Sequence, residues 1–288
     1  MYSRVFRAFA CGKISRCQFL PIESEVPRKR SRVCGTPQTR SFCNFFLAGD
    51  TVQTEFLQNG LTLTQLSSQF ALGTDAMLLA DFAKDCHGAV CDLCAGCGQV
   101  GMLLASLTDA SVTCVELQEE AALQIQKNIA QNRIPDRMRA VCGDIRNIRA
   151  LLPHGSFDAV VCNPPYYPVG SGFSAKDEAI AVARTELCCT LADVCAAAAW
   201  LLSDGGSFYL VHKPERLTDL LTSLREHRLE PKQLRLVQHR QDAPFRFVLL
   251  RATLSGKAGL RILPPLTLQE PDGTPSAEYR RIYHMEEP

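Results

Sequence analysis

Asn163-Pro164-Pro165-Tyr166-Tyr167 stands directly after the run 157–162 (FDAVVC), apolar apart from Asp158. These residue types suit chemistry on a flat amine: an amide oxygen and a backbone carbonyl accept N–H bonds, and a phenol ring offers a stacking face. Two prolines end any strand ladder, because neither has an N–H to donate, and the residue before a proline is held extended. Asn163 is therefore expected at the carboxyl end of a strand, the edge where open α/β sheets bind ligands. The plain alternative is a rigid turn with no chemistry.

The elements that position this stretch alternate from residue 85 onward. Strands are expected at 89–93, 111–116, 138–144, 157–162 and 206–212, with helices at 100–107, 118–132, near 187–202 and at 214–227, and two further strand-like runs after 234. Repeated strand–helix–strand units imply a parallel sheet wound by right-handed crossovers. Asp92-Leu93-Cys94-Ala95-Gly96-Cys97-Gly98 follows the first strand. Gly96 and Gly98 let backbone approach a ligand just before a helix N-terminus; the turn is taken to lack the full G-x-G-x-x-G pattern and so to fit a dinucleotide site poorly. Glu116 ends the second strand, where a carboxylate can accept both hydroxyls of a ribose. Asp144 ends the third, where an acid can meet an adenine amino group. Successive strands ending in a glycine turn, an acid, an acid and Asn-Pro-Pro-Tyr form an ordered set, more specific than any one piece.

That set resembles the S-adenosylmethionine-dependent methyltransferases of Rossmann-like fold. The NPPY stretch resembles the catalytic motif of those that methylate a planar nitrogen: adenine N6, cytosine N4 or a glutamine amide. Residues 69–83 (QFALGTDAMLLADFA), 175–186 (AKDEAIAVARTE), 210–217 (LVHKPERL) and 259–273 (GLRILPPLTLQEPDG) are similar to the bacterial tRNA1(Val) adenine-37 N6-methyltransferase family, over roughly 52–284. The resemblance implies a mostly parallel seven-stranded sheet with helices on both faces, S-adenosylmethionine as cofactor and tRNA as partner. It implies catalysis by Asn163, Pro164, Pro165 and Tyr166. Cofactor contacts would come from Thr74, Asp75, Asp92, Gly96, Gly98, Glu116, Asp144 and Asn163. Tyr166 would stack on the base, and Tyr167 would join it on the substrate side. Arg184 and Glu186 match the family's AR-x-E pattern; contact with RNA, contact with the loop backbone and pairing with each other all fit. A glutamine N5-methyltransferase shares the NPPY motif, but lacks the GTD, AR-x-E and PPL segments in these places. A non-catalytic RNA- or metal-binding protein is the reading from another class.

Composition bounds the rest. No run reaches about 18 apolar residues, so no membrane span is expected. Residues 1–50 carry nine Lys/Arg against three acids in a chain of net charge +1. They are read as a basic, poorly ordered extension preceding a single domain at 51–288. Residues 212–251 hold nine Lys/Arg against five acids, a candidate phosphate-binding patch if part of it lies beside Asn163. Fourteen cysteines, several in apolar runs, suit reduced thiols in the core of a cytoplasmic protein, taken as a monomer. Cys91, Cys94 and Cys97 have the C-x-x-C-x-x-C spacing of an iron–sulfur or zinc run, yet no fourth ligand follows at a fitting distance, so no metal is expected. Cys94 and Cys97 replace small residues and Thr of the family, and would crowd the cofactor turn.

Overall fold

The computed structural model describes residues 52–66, 72–164 and 189–285. The extension 1–50, Pro165, Tyr166, Tyr167 and Arg184 lie outside the described residues. The described chain opens with an antiparallel hairpin, β1 (Val52–Phe56) and β2 (Thr62–Leu66). Helix α1 (Thr74–Phe82) leads into β3 (Ala89–Leu93), α2 (Gln99–Leu107), β4 (Ser111–Glu116), α3 (Glu119–Asn132) and β5 (Met138–Cys142). Then come α4 (Ile148–Leu151), β6 (Phe157–Cys162), α5 (Leu191–Leu201), β7 (Leu202–His212) and α6 (Leu217–Glu226). The chain closes with β8 (Leu229–Gln238), β9 (Phe245–Leu254), the two-residue strands β10 (Arg261–Ile262) and β11 (Leu266–Thr267), and α7 (Ala277–Ile282).

Seven long strands form the sheet in the order β8-β9-β7-β6-β3-β4-β5, and β10 and β11 both pair with β8 at its far edge. Pairs from β7 through β5 are parallel; β9 is antiparallel to both β7 and β8. The central strands are mostly apolar because both faces are covered. Alternation sorts their side chains: Val90, Val112 and Val161 enter the layer under α1, α2 and α3, while Cys91, Val115 and Val160 enter the layer under α4, α5 and α6. Of the nine cysteines among the described residues, all are free thiols and seven are buried, several in these layers.

Local chemistry explains where the boundaries fall. The Thr190 hydroxyl accepts from the Asp193 N–H, and the Asp193 carboxylate accepts from the Thr190 N–H, a reciprocal cap that starts α5 at Leu191 rather than near 187. Arg281 donates both guanidinium arms to Asp81 at 2.7 and 2.9 Å, tying α7 to α1. The hairpin hangs on α3 through amides. Asn132 and Asn128 accept from the N–H of Thr62 and Thr64 at 2.7 and 2.9 Å, and donate back to the carbonyls of the same residues.

Candidate active site

The sheet runs outward from β3 to β4 and β5, then returns with β6 on the other side of β3. The reversal opens a crevice at the carboxyl ends of β3 and β6, where doubly wound sheets bind ligands. The turn after β3 forms one wall. Cys94, Gly96 and Gly98 have φ of 57°, 56° and 85°, the left-handed region that glycine enters freely and Cys94 enters with strain. The turn is fastened from behind. The Ala95 N–H donates to the Val115 carbonyl at 3.1 Å, and the Gly96 N–H donates to a Glu116 carboxylate oxygen at 2.8 Å. A Cβ built on Gly96 meets no atom within 4 Å, so the front of the turn is open space.

Asp92 is 1% exposed, and its carboxylate accepts from the Gly101 N–H in the first turn of α2 at 2.9 Å. Burial pushes its pKa up to about 7. Gly101 is a residue the Gly-x-Gly reading leaves out. It completes a G-x-G-x-x-G spacing from Gly96, and that spacing was the signal available in the sequence. A Cβ on Gly101 would stand 2.5 Å from Cys114 Sγ, so the glycine permits the close packing of α2 on β4. The turn therefore carries the full G-x-G-x-x-G spacing, contrary to the expectation from the sequence.

The two acids differ. Glu116 is 7% exposed; one oxygen holds Gly96 and the other accepts from the Gln118 N–H at 2.8 Å. Burial raises its pKa, and the backbone donors oppose that rise. The Leu117 N–H also faces this carboxylate, and of its roughly four lone-pair sites at least one remains for a hydroxyl. Asp144 is chelated by Arg146, whose guanidinium holds its pKa below the usual range.

The crowding expected of Cys94 and Cys97 takes another form. The Cys97 thiol, 4% exposed, meets Gln65 Oε1 at 3.7 Å, and Gln65 also accepts from Gln99 at 3.1 Å, so the hairpin's end roofs the turn. Cys94 Sγ lies 3.8 Å from Cys189 Sγ. Hydrogen bonding with Cys162 raises the Cys94 pKa, and burial pushes Cys97 to about 11, which leaves little reactive thiolate at neutral pH. Among the described residues, no group of three or more His, Cys, Asp or Glu is placed to hold a metal ion.

Asn163, half-buried, and Pro164, buried, follow β6 on the crevice's other wall, and Leu93 pairs with Cys162 across it. Thr74 and Asp75, at the start of α1, line a cavity with Lys213, Arg246 and Phe247. The structure thus sets Asp92, Gly96, Gly98, Glu116 and Asn163 at the carboxyl ends of the neighbouring strands β3, β4 and β6. It sets Asp144 two strands from β3, and Thr74 and Asp75 in the neighbouring cavity.

The fold and its crevice define a class I S-adenosylmethionine-dependent methyltransferase. The model of the methyltransferase small domain family matches residues 67–227. A Shewanella sp. (strain W3-18-1) protein named tRNA1(Val) (adenine(37)-N6)-methyltransferase is 32% identical over 170 residues, 58% of this chain and 71% of its own. An Erwinia tasmaniensis protein of the same name is 28% identical over 232 residues, 78% of this chain and 93% of its own. Among solved structures, an Agrobacterium tumefaciens protein described as a predicted O-methyltransferase superposes with TM-score 0.59 at 23% identity, covering 73% of this chain and 96% of that one. TYW2 of P. horikoshii in complex with MeSAdo superposes at 0.51 and 16% identity, covering 72% and 73%. The chain belongs to the methyltransferase small domain family and, within it, stands with the tRNA1(Val) (adenine(37)-N6)-methyltransferases.

Proposed function

We propose that the enzyme transfers the methyl group of S-adenosylmethionine to the N6 amine of an adenine in tRNA, and that this adenine is position 37 of a valine tRNA. The observation that carries the reading is the pairing of Asn163 and Pro164, at the end of β6, with the open glycine turn at the end of β3. The residues of the turn fit the cofactor. Gly96 leaves space before the backbone, and Glu116 keeps a lone-pair site for a ribose hydroxyl while it holds the turn in shape. Asp92 would act through Gly101 and the turn. When bound, S-adenosylmethionine supplies a methyl on a cationic sulfur, already activated for transfer.

The chain's task is then to position the amine. Adenine N6 is a weak nucleophile because its lone pair is delocalised into the ring. The Asn163 amide oxygen and the Pro164 carbonyl accept its two N–H bonds, fix its direction and favour a more tetrahedral nitrogen. The surplus proton leaves to solvent after transfer, so no strong base is needed. Tyr166 would stack on an extruded base, with Tyr167 and Arg184 on the same side. Thr74 and Asp75 belong in this reading to the rim of the cofactor site, and Asp144 to its adenine end. The catalytic unit is 51–288, acting as a cytoplasmic monomer, with 1–50 an extension to it; no helix among the described residues is long and apolar enough to cross a membrane.

The test is label transfer from S-adenosylmethionine into unmodified tRNA, digested to nucleosides. N6-methyladenosine, lost in Asn163→Ala, is expected. Label in protein instead would overturn the reading in favour of a glutamine amide.

A further inference from the structure

The basic patch after β7 is not uniform. Arg216, Arg225 and Arg235 sit against Asp219, Glu230 and Glu278 at 2.7, 3.3 and 2.6 Å. Two other cations meet on one ring, with Asp75 and Glu215 within electrostatic reach of Lys213. Lys213 Nζ lies 4.6 Å, and the Arg246 guanidinium 5.9 Å, from the centroid of Phe247. The sheet brings them together: Lys213 follows the last residue of β7, and His212 pairs with Val248, so Arg246 and Phe247 arrive opposite it on β9. Placing two like charges over one ring costs electrostatic energy, which an anionic ligand would relieve.

These residues line a cavity of about 430 Å³, within the range of small-molecule sites. His239, Thr74 and Tyr279 add a polar and an aromatic wall. Asp75 is the carboxylate among the lining residues, so the two cations leave the wall net positive. Lys213, on the cavity wall, follows β7, which pairs with β6. Asn163 lies one residue, and Lys213 three, beyond the pair Cys162 with Leu210. At a rise of about 3.3 Å per residue and about 4.8 Å between strands, their backbones are about 8 Å apart. A strand whose base enters the crevice must carry a neighbouring phosphodiester past this point.

We propose that this cavity is an RNA subsite: Lys213 and Arg246 hold the phosphodiester next to the target nucleotide, and the wall at Tyr279 receives the adjoining base. The proposal rests on the RNA reading of the crevice. Extruding a base requires that its neighbours be held by their backbone, and cations beside an aromatic surface suit an unpaired strand of any sequence.

The test uses the full chain with Lys213→Ala, Arg246→Ala and the pair. Three quantities are read: methyl-transfer kinetics on a tRNA transcript, binding of a short single-stranded RNA across a salt series, and thermal stabilisation by S-adenosylmethionine. The pair should raise KM for tRNA roughly tenfold, with kcat and the cofactor's stabilisation unchanged. The slope of log affinity against log salt should shrink by about 0.7 per charge removed. Lys213→Arg keeps the charge and should keep KM. Unchanged KM and salt slope in the pair would overturn the proposal, as would a Lys213→Arg variant as impaired as Lys213→Ala, which would assign the cavity to packing. If the wild type methylates no tRNA, the reading of the crevice fails, and the oligonucleotide series still decides the subsite. Wild-type binding that weakens in the pair would support it. Equal binding, or none by the wild type, would overturn it.

Discussion

The two halves of the sheet edge are built from different materials. On the β3–β4–β5 side, carboxylates hold backbone: Asp92 holds Gly101, and Glu116 holds Gly96 and Gln118. On the β6–β7–β9 side, an amide and a proline carbonyl stand beside two cations on an aromatic ring. The first half is already hydrogen-bonded to itself, so its shape exists before any ligand arrives. The second half carries the groups to which the proposals above assign an aromatic amine and a phosphate. Damage to the first half should therefore register as lost stability and cofactor binding, and damage to the second as lost turnover or RNA affinity in a sound fold.

The strongest attempt to break this contrast is Asn163→Ala. Loss of one positioning acceptor should lower kcat by about 10²–10³, while S-adenosylmethionine still raises Tm; a matching loss of cofactor binding would merge the halves. Next is pH. The folded pKa of Asp92, about 7, lies above its ordinary value of 3.8. Folding is therefore favoured by protonation, and stability contributed by this group is full below about pH 4 and falls as pH rises through about 7. The loss should approach the order of 4 kcal/mol at 1.36 kcal/mol per unit. Denaturant titrations between pH 4 and 8 should show the decline, levelling off above about pH 7, and Asp92→Asn should flatten it while keeping an acceptor for Gly101.

Gly101→Ala is a smaller perturbation. Its Cβ meets Cys114 Sγ and must displace α2, at roughly 1–3 kcal/mol. Cys114→Ala in the same chain should recover part of that, as urea midpoints would show. The finest cut lies within the first half. Glu116→Gln turns an amide NH2 toward a backbone donor and should weaken S-adenosylmethionine binding about tenfold. Asp144→Asn keeps an oxygen for the Arg146 N–H and for an adenine amine, and gives up an ion pair with Arg146 worth about 0–1 kcal/mol, so its effect on binding should be the smaller. Calorimetry that ranks Asp144 above Glu116 would reverse their roles.

Strands 89–93, 111–116 and 157–162 were legible because burial on both faces writes mostly apolar runs, broken at Asp92, Thr113 and Asp158. The glycine turn, Glu116 and Asn163 were legible because each must stand at a strand's end. Gly101 hid inside a helix, where only spacing marks a glycine that makes a close approach. Lys213 and Arg246 were visible as charge, but their meeting on Phe247 depends on antiparallel pairing of β7 with β9, which no local pattern states. The hairpin was the hardest, since the Asn and Gln side chains that dock β2 belong to α3, about sixty to seventy residues onward.

That docking has a kinetic consequence. The amides of Thr62 and Thr64 owe their protection to side chains of a helix, not to the large sheet. The hairpin can lift away while the sheet stays whole, so these two amides should exchange with deuterium through a local opening, sooner than those of β3. Gln65 leaves with it, and Gln65 bonds Gln99 above the glycine turn. The exchange rate of two threonine amides thus becomes a clock for how often the turn loses its roof.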